Sequence, residues 1–158
     1  INQIESKQKA KEKLPLWFNT TNIIFPSKIS IEQTSSEKTA EYKSKIISGT
    51  SLIDLSGGFG IDDYYFSKKI KSVTHCEINS ELSEIVAYNL KILNAHNITC
   101  INQNSTDYLK ENSIFSSSKL KKDVEATREF LNGSGYYQAS IVPEVIKIDN
   151  NQIKLYVI

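Results

Sequence analysis

Along residues 1–18, Lys, Glu and Gln alternate with a few apolar positions, Ile4, Ala10 and Leu14. That pattern predicts an exposed, solvated helix ending before Pro15, because a proline ring cannot continue a helix. Residues 19–31 read as loop, punctuated by Pro26. Ser30 and Gln33 then have the spacing of a capping box, and the stretch to Ile47 keeps helical spacing with Ala40, Ile46 and Ile47 on the inner side. Gly49 stands where such a helix needs a left-handed residue to close.

Beyond Thr50 the apolar positions fall in short runs. Residues 51–55 form a first strand, followed by Ser56-Gly57-Gly58-Phe59-Gly60 and a helix-compatible stretch over 61–70. A second strand over 72–77 ends in Glu77. Residues 80–94 place Leu82, Ile85, Val86, Asn89, Leu90 and Leu93 at helical spacing, and 98–101 supply a third strand. This alternation predicts an α/β fold with a parallel, doubly wound sheet, since crossovers between parallel strands are right-handed. After residue 112 the style changes. A serine-rich junction (113–118) leads to an amphipathic helix over 119–131, ended by Gly133-Ser134-Gly135. Strand-like runs over 139–148 and 152–158 flank Asp149-Asn150-Asn151, a hairpin turn signal. The expected organisation is a helical segment over 1–49, a sheet domain over 50–112 and a helix plus β-hairpin over 113–158.

The chain has 158 residues, 39% hydrophobic and 23% charged, which suits one ordinary globular domain and excludes a disordered or collagen-like chain. Lys plus Arg (19) balance Asp plus Glu (18) to a net +1, so global charge calls for neither nucleic acid nor a membrane surface. Lys7, Lys9, Lys11 and Lys13 alternate, which puts them on different helix faces. Cys76 and Cys100 sit inside apolar strands and read as small hydrophobes. No apolar run approaches a membrane span and the N-terminus has no signal-peptide core, so a cytoplasmic protein is expected. The lack of Met and an end at Ile158 within an apolar pattern suggest a fragment of something longer.

The chemistry concentrates at the first strand-to-helix turn. Gly57, Gly58 and Gly60 let the chain bend sharply and let a ligand approach bare backbone, where free amides at a helix N-terminus would meet it. Asp54 ends the strand before the turn, and Glu77 ends the next strand, where doubly wound folds hold the two hydroxyls of a ribose. An acid ahead of the glycines would repel a pyrophosphate and attract an ammonium, which favours S-adenosyl-L-methionine over a dinucleotide. The plainer alternative is a tight turn with Glu77 as a solvated strand end. His75 and His96 lack a third ligand at metal spacing, so no metal is expected. No nucleophile elbow is present.

Three separated segments carry a family resemblance: residues 33–43 (Gln-Thr-Ser-Ser-Glu-Lys-Thr-Ala-Glu-Tyr-Lys), residues 52–62 (Leu-Ile-Asp-Leu-Ser-Gly-Gly-Phe-Gly-Ile-Asp) and residues 75–79 (His-Cys-Glu-Ile-Asn). Over about residues 1–110 the chain resembles bacterial class I methyltransferases with a THUMP-like domain. The resemblance implies a partial Rossmann-like fold that binds S-adenosyl-L-methionine. Asp54, Gly57, Gly58 and Gly60 would surround its methionine part, with Asp62 at the start of the following helix and Glu77 at the ribose, and Ser56 and Ile78 would be further cofactor contacts. The 32–43 segment would lie beside the cofactor loop. Where many such enzymes accept the adenine amino group with an acid, this chain offers Asn104 and Ser105. Related enzymes make RNA a candidate methyl acceptor. The family's Asp-Pro motif on a fourth strand is absent from the sequence, so no catalytic residue can be named and cofactor binding with little or no turnover is expected. The tail, from Lys119 to Val157, instead resembles the second half of a POTRA module. Those modules belong to outer-membrane assembly proteins and bind unfolded client strands along a sheet edge. A further option is that the hairpin docks beside the first strand and covers an otherwise open edge.

Overall fold

The structure, a computed structural model, describes residues 3–112, 144–148 and 152–156. Three parallel strands, β1 (Ser51–Asp54), β2 (Ser72–Cys76) and β3 (Ile98–Ile101), form a sheet in the order β1-β2-β3. Asp54 lies opposite His75, and Cys76 opposite Ile101, so β2 and β3 end together at the carboxyl edge and β1 ends one residue earlier. The crossovers are α5 (Ile61–Phe66) and α6 (Ser80–Ile92). This is the expected partial Rossmann-like α/β fold. Its central strand buries Val73, His75 and Cys76. α6 starts where Asn79 accepts a hydrogen bond from the Leu82 amide at 3.0 Å, and it turns Ile85, Val86, Asn89 and Leu90 inward. A short helix α7 (Ser105–Glu111) puts Leu109 against Ile53 and Cys76.

Four helices precede the sheet: α1 (Gln3–Lys13), α2 (Pro15–Asn19), α3 (Lys28–Gln33) and α4 (Glu37–Ile46). They depart from the sequence reading in three ways. First, α1 is not simply solvated. Ser6 and Ala10 are buried, as are Leu14 and Trp17 just beyond it, whereas Ile4 is exposed. Trp17 packs edge-on against Tyr64 with centroids 5.0 Å apart. Pro15 opens α2, at a position where its missing N–H costs nothing. Second, the single helix expected from Ser30 to Ile47 is two helices. Ser27 caps α3 by accepting from the Ser30 amide, the chain opens at Thr34, and Ser36 caps α4 by accepting from the Thr39 amide. Clustered hydroxyls offer the backbone local partners that compete with helix continuation. Third, Ala40 and Ile47 are buried but Ile46 is exposed, and Gly49 takes its positive φ of 138° beyond the extended cap residue Ile47.

One side chain ties the loop before α3 to the sheet domain. Buried Asn89 donates to the Ile24 carbonyl at 2.7 Å and accepts from the Ile24 amide at 2.9 Å. Asn89→Ala leaves both backbone groups without that partner, and a loss of about 2 kcal/mol in urea unfolding is expected. An unchanged midpoint would show that the loop is held elsewhere.

Strands β4 (Glu144–Ile148) and β5 (Gln152–Tyr156) form an antiparallel hairpin with Glu144 opposite Tyr156. β4 lies close to β1, while the hairpin remains a two-stranded sheet of its own, separate from β1-β2-β3. The helix expected over 119–131 and its glycine end lie outside the described residues. Among the described residues, no helix is long and apolar enough to cross a membrane.

Candidate functional site

β1 delivers Asp54 to the carboxyl edge of the sheet, and the chain then bends through residues 55–60 into α5. Gly58 (φ 53°) and Gly60 (φ 72°) occupy the left-handed region that side chains disfavour. Gly57 is required for a different reason. A Cβ there would stand 2.2 Å from Cε1 and Nδ1 of the His75 ring. The turn is fastened to the end of β2: the Gly57 amide donates to the Cys76 carbonyl at 3.0 Å, and the Gly58 amide donates to Oε2 of Glu77 at 3.1 Å. Oε1 of Glu77 accepts from the Asn79 amide at 2.8 Å. The Gly60 amide donates to the Gly57 carbonyl. The sequence reading expected free amides at this turn; instead the Gly57, Gly58 and Gly60 amides all have partners within the protein. Glu77 comes close enough to take one of them.

This turn forms one wall of a cavity of about 450 Å³. Asp54, Ser56, Gly57, Gly58, Phe59, Ile61, Asp62, Glu77 and Leu82 line it from the sheet domain. Ser30, Gln33, Thr34, Ser35 and Lys43 line it from α3, α4 and the bend between them. Asp62 links the two walls: its Oδ2 accepts from Ser35 Oγ at 2.8 Å and from Lys43 Nζ at 3.1 Å. Of the residues singled out from the sequence, Gly60, Ile78, Asn104 and Ser105 do not line the cavity. Gly60 is buried beneath the turn, Ile78 is exposed, and Asn104 Oδ1 accepts from the Thr106 amide at 2.9 Å in the first turn of α7, which Ser105 begins. Lys43 and Leu82 are on the wall without having been singled out as ligand contacts. Lys43 lay inside a recognised motif, but its pairing with Asp62 spans a sequence distance that no local spacing encodes.

The electrostatics of the floor are set by burial. Burial pushes the Asp54 carboxyl up to about 7, helped by the charge of Asp63 and opposed by the Ser56 amide and by His75. His75 and Asp63 are both fully buried, with Nδ1 and Oδ2 2.6 Å apart. Burial alone would lower the His75 pKa, but the hydrogen bond to Asp63 and its charge, then Asp54 and Glu77, outweigh it and the net shift is upward. Burial raises the Cys76 and Cys100 thiols to about 11 each, so both stay protonated and unreactive at neutral pH. Neither is in a disulfide, and no metal-holding cluster occurs among the described residues.

A parallel sheet with a glycine turn and strand-tip acids around one cavity is a methyltransferase-like arrangement. The chain aligns with the structure of a protein from Porphyromonas gingivalis W83 described as a methyltransferase, at 32% identity and a TM-score of 0.62. The alignment covers 68% of this chain and 28% of that one, so the chain spans little more than a quarter of that protein's length. Trm5b from Pyrococcus abyssi aligns at 21% identity and a TM-score of 0.42, over 46% of this chain and 23% of that one. The Escherichia coli protein yhhF, also described as a methyltransferase, aligns at 23% identity and a TM-score of 0.40, over 46% of this chain and 42% of that one. No curated protein sequence gives a match. The family profile for POTRA, surface antigen variable number repeat, matches residues 53–158, more than half of the chain. The chain belongs to that family. Its matched span begins well before the tail in which the sequence showed the likeness, and takes in β2, β3 and their crossover helices as well as the hairpin.

Proposed function

We propose that the cavity binds S-adenosyl-L-methionine and that the chain is the cofactor-binding part of a methyltransferase, weak or inactive as a catalyst by itself. The observation that carries this reading is the position of Glu77, a carboxylate hydrogen-bonded to Gly58 on the wall of a cavity whose floor is Asp54. The lining fits such a ligand chemically. Carboxylates suit its positive charges and ribose hydroxyls, Lys43 can offset its carboxylate, and Phe59, Ile61 and Leu82 offer apolar surface to its base. Asp54 and Ser56 would face the amino-acid end, with Gly57, Gly58, Gly60 and Asp62 shaping that side. Ile78, Asn104 and Ser105, which stand outside the cavity lining, would meet the cofactor only where it extends past Glu77. When bound, the cofactor supplies an electrophilic methyl group. The chain's own residues orient it, and the acceptor, for which RNA is our candidate, would need further elements to be aligned. In this reading residues 1–49 form the outer wall, 50–112 the cofactor-binding domain and 113–158 a POTRA-like addition, in a cytoplasmic protein.

Calorimetric titration with S-adenosyl-L-homocysteine tests it. Glu77→Ala is expected to weaken binding roughly 10- to 100-fold, the range for hydrogen bonds to a charged group. Equal affinity in the two proteins, or no binding by either, would remove the reading's basis.

A second reading is favoured by the family match over 53–158 and by the antiparallel β4–β5 hairpin. In it the chain is a protein-binding module that captures unfolded outer-membrane protein strands. Retention of such peptides by the intact chain, lost on placing proline within β5, would support it.

A further inference from the structure

Three consecutive residues of the β2 end hold the glycine turn. The His75 ring fills the space a side chain on residue 57 would take, the Cys76 carbonyl accepts from the Gly57 amide, and the Glu77 carboxylate accepts from the Gly58 amide. Two of these contacts are hydrogen bonds, but the first is a surface whose shape depends on how the ring is rotated. Among the described residues, one hydrogen-bond partner sets that rotation: Nδ1 meets Asp63 Oδ2 at 2.6 Å, while Nε2 is buried and has none. Asp63 belongs to the first turn of α5, directly after the glycines. The pair thus clamps the strand below the turn to the helix that leaves it. Neither residue lines the cavity.

We propose that the buried His75–Asp63 pair is the positioning element of the glycine turn, holding Gly57 and Gly58 in the conformation the ligand cavity requires. The consequence for the ligand rests on the cofactor reading given above; the consequence for the turn does not. Three acidic groups act on the ring: Asp63 from α5, Asp54 from β1 and Glu77 beyond β2. With its pKa raised, His75 is charged and paired at low pH. The charge pairing is complete below the unfolded pKa of about 6.5 and is lost as pH rises through the folded value, which weakens the clamp to the single hydrogen bond that a neutral ring donates from Nδ1 to Asp63.

Amide hydrogen exchange in the ligand-free protein, followed by NMR as protection factors, is the test. The Val73 amide, which donates to the Asn97 carbonyl, serves as the core reference. In the wild type, Gly57 and Gly58 are expected to lose protection as pH rises in step with the ¹⁵N titration of His75, while Val73 does not. Asp63→Asn is expected to lower protection at both glycines roughly tenfold, to flatten its pH dependence and to leave Val73 unchanged. The same variant is expected to lose roughly tenfold in affinity for S-adenosyl-L-homocysteine. Glycine protection that ignores His75 titration, or that falls only together with Val73, overturns the proposal. The wild-type series decides the matter even if the variant does not fold. A wild-type protein that fails to bind S-adenosyl-L-homocysteine overturns the cofactor reading alone, because the exchange data still judge the clamp.

Discussion

Gly57→Ala is expected to destabilise the protein by about 3 kcal/mol in urea unfolding and to abolish ligand binding, the upper end of what overpacking a core costs. The added methyl group would sit 2.2 Å from two atoms of the His75 ring and 2.8 Å from Cγ. The ring cannot give way, because it is fully buried and tied to Asp63. The turn must lift instead, breaking the bond from the Gly57 amide to the Cys76 carbonyl and pulling Gly58 away from Glu77. Gly58→Ala provides the contrast. Its Cβ would meet nothing nearer than the Ser56 carbonyl at 3.6 Å, so the cost is only that of a left-handed residue, about 1–2 kcal/mol. If the two alanine variants behaved alike, close packing on His75 would not be what residue 57 serves.

The second large effect is on pH. With Asp54 raised to about 7, a ligand ammonium that pairs with its ionised form must first displace a proton below that pH. Affinity is then expected to level off above pH 7 and to fall about tenfold for each unit below it. Stability runs the other way. The unfolded chain ionises Asp54 near its ordinary 3.8, while the folded chain keeps the proton until about 7, so this group's contribution to stability declines as pH rises between the two values. Asp54→Asn is expected to remove both slopes, with weaker binding at pH 8. Calorimetry and urea unfolding across pH 5–8 measure them. An affinity that is flat with pH in the wild type would place the ligand's charge away from Asp54.

Much of this architecture was legible because the pattern is local. Short apolar runs of four or five residues gave β1, β2 and β3, and the spacing of Ile85, Val86, Asn89 and Leu90 gave the buried face of α6. Strand-tip acids and a glycine turn are likewise neighbours in the sequence, which is why Asp54 and Glu77 could be singled out as members of one edge. What was hidden depends on partners far apart. Trp17 is buried because Tyr64 lies against it, and nothing in the first eighteen residues reports that contact. The break at Thr34 reflects competition among hydroxyl groups, which helical spacing alone does not register. Lys43 becomes part of the cavity through Asp62, and His75 becomes the seat of the turn through Asp63; both pairings exist only once the sheet has formed. Asn104, read as a contact for a base, is occupied at least in part with starting α7.

The most direct measurement is an NMR titration of the amide-labelled protein with S-adenosyl-L-homocysteine. The account predicts saturable shifts centred on Ser56, Gly57, Gly58 and Asn79, whose amide shares the Glu77 carboxylate, with Lys43 and its neighbours on the opposite wall following. Shifts absent from these residues at saturating ligand, or confined to the β4–β5 hairpin, would contradict it.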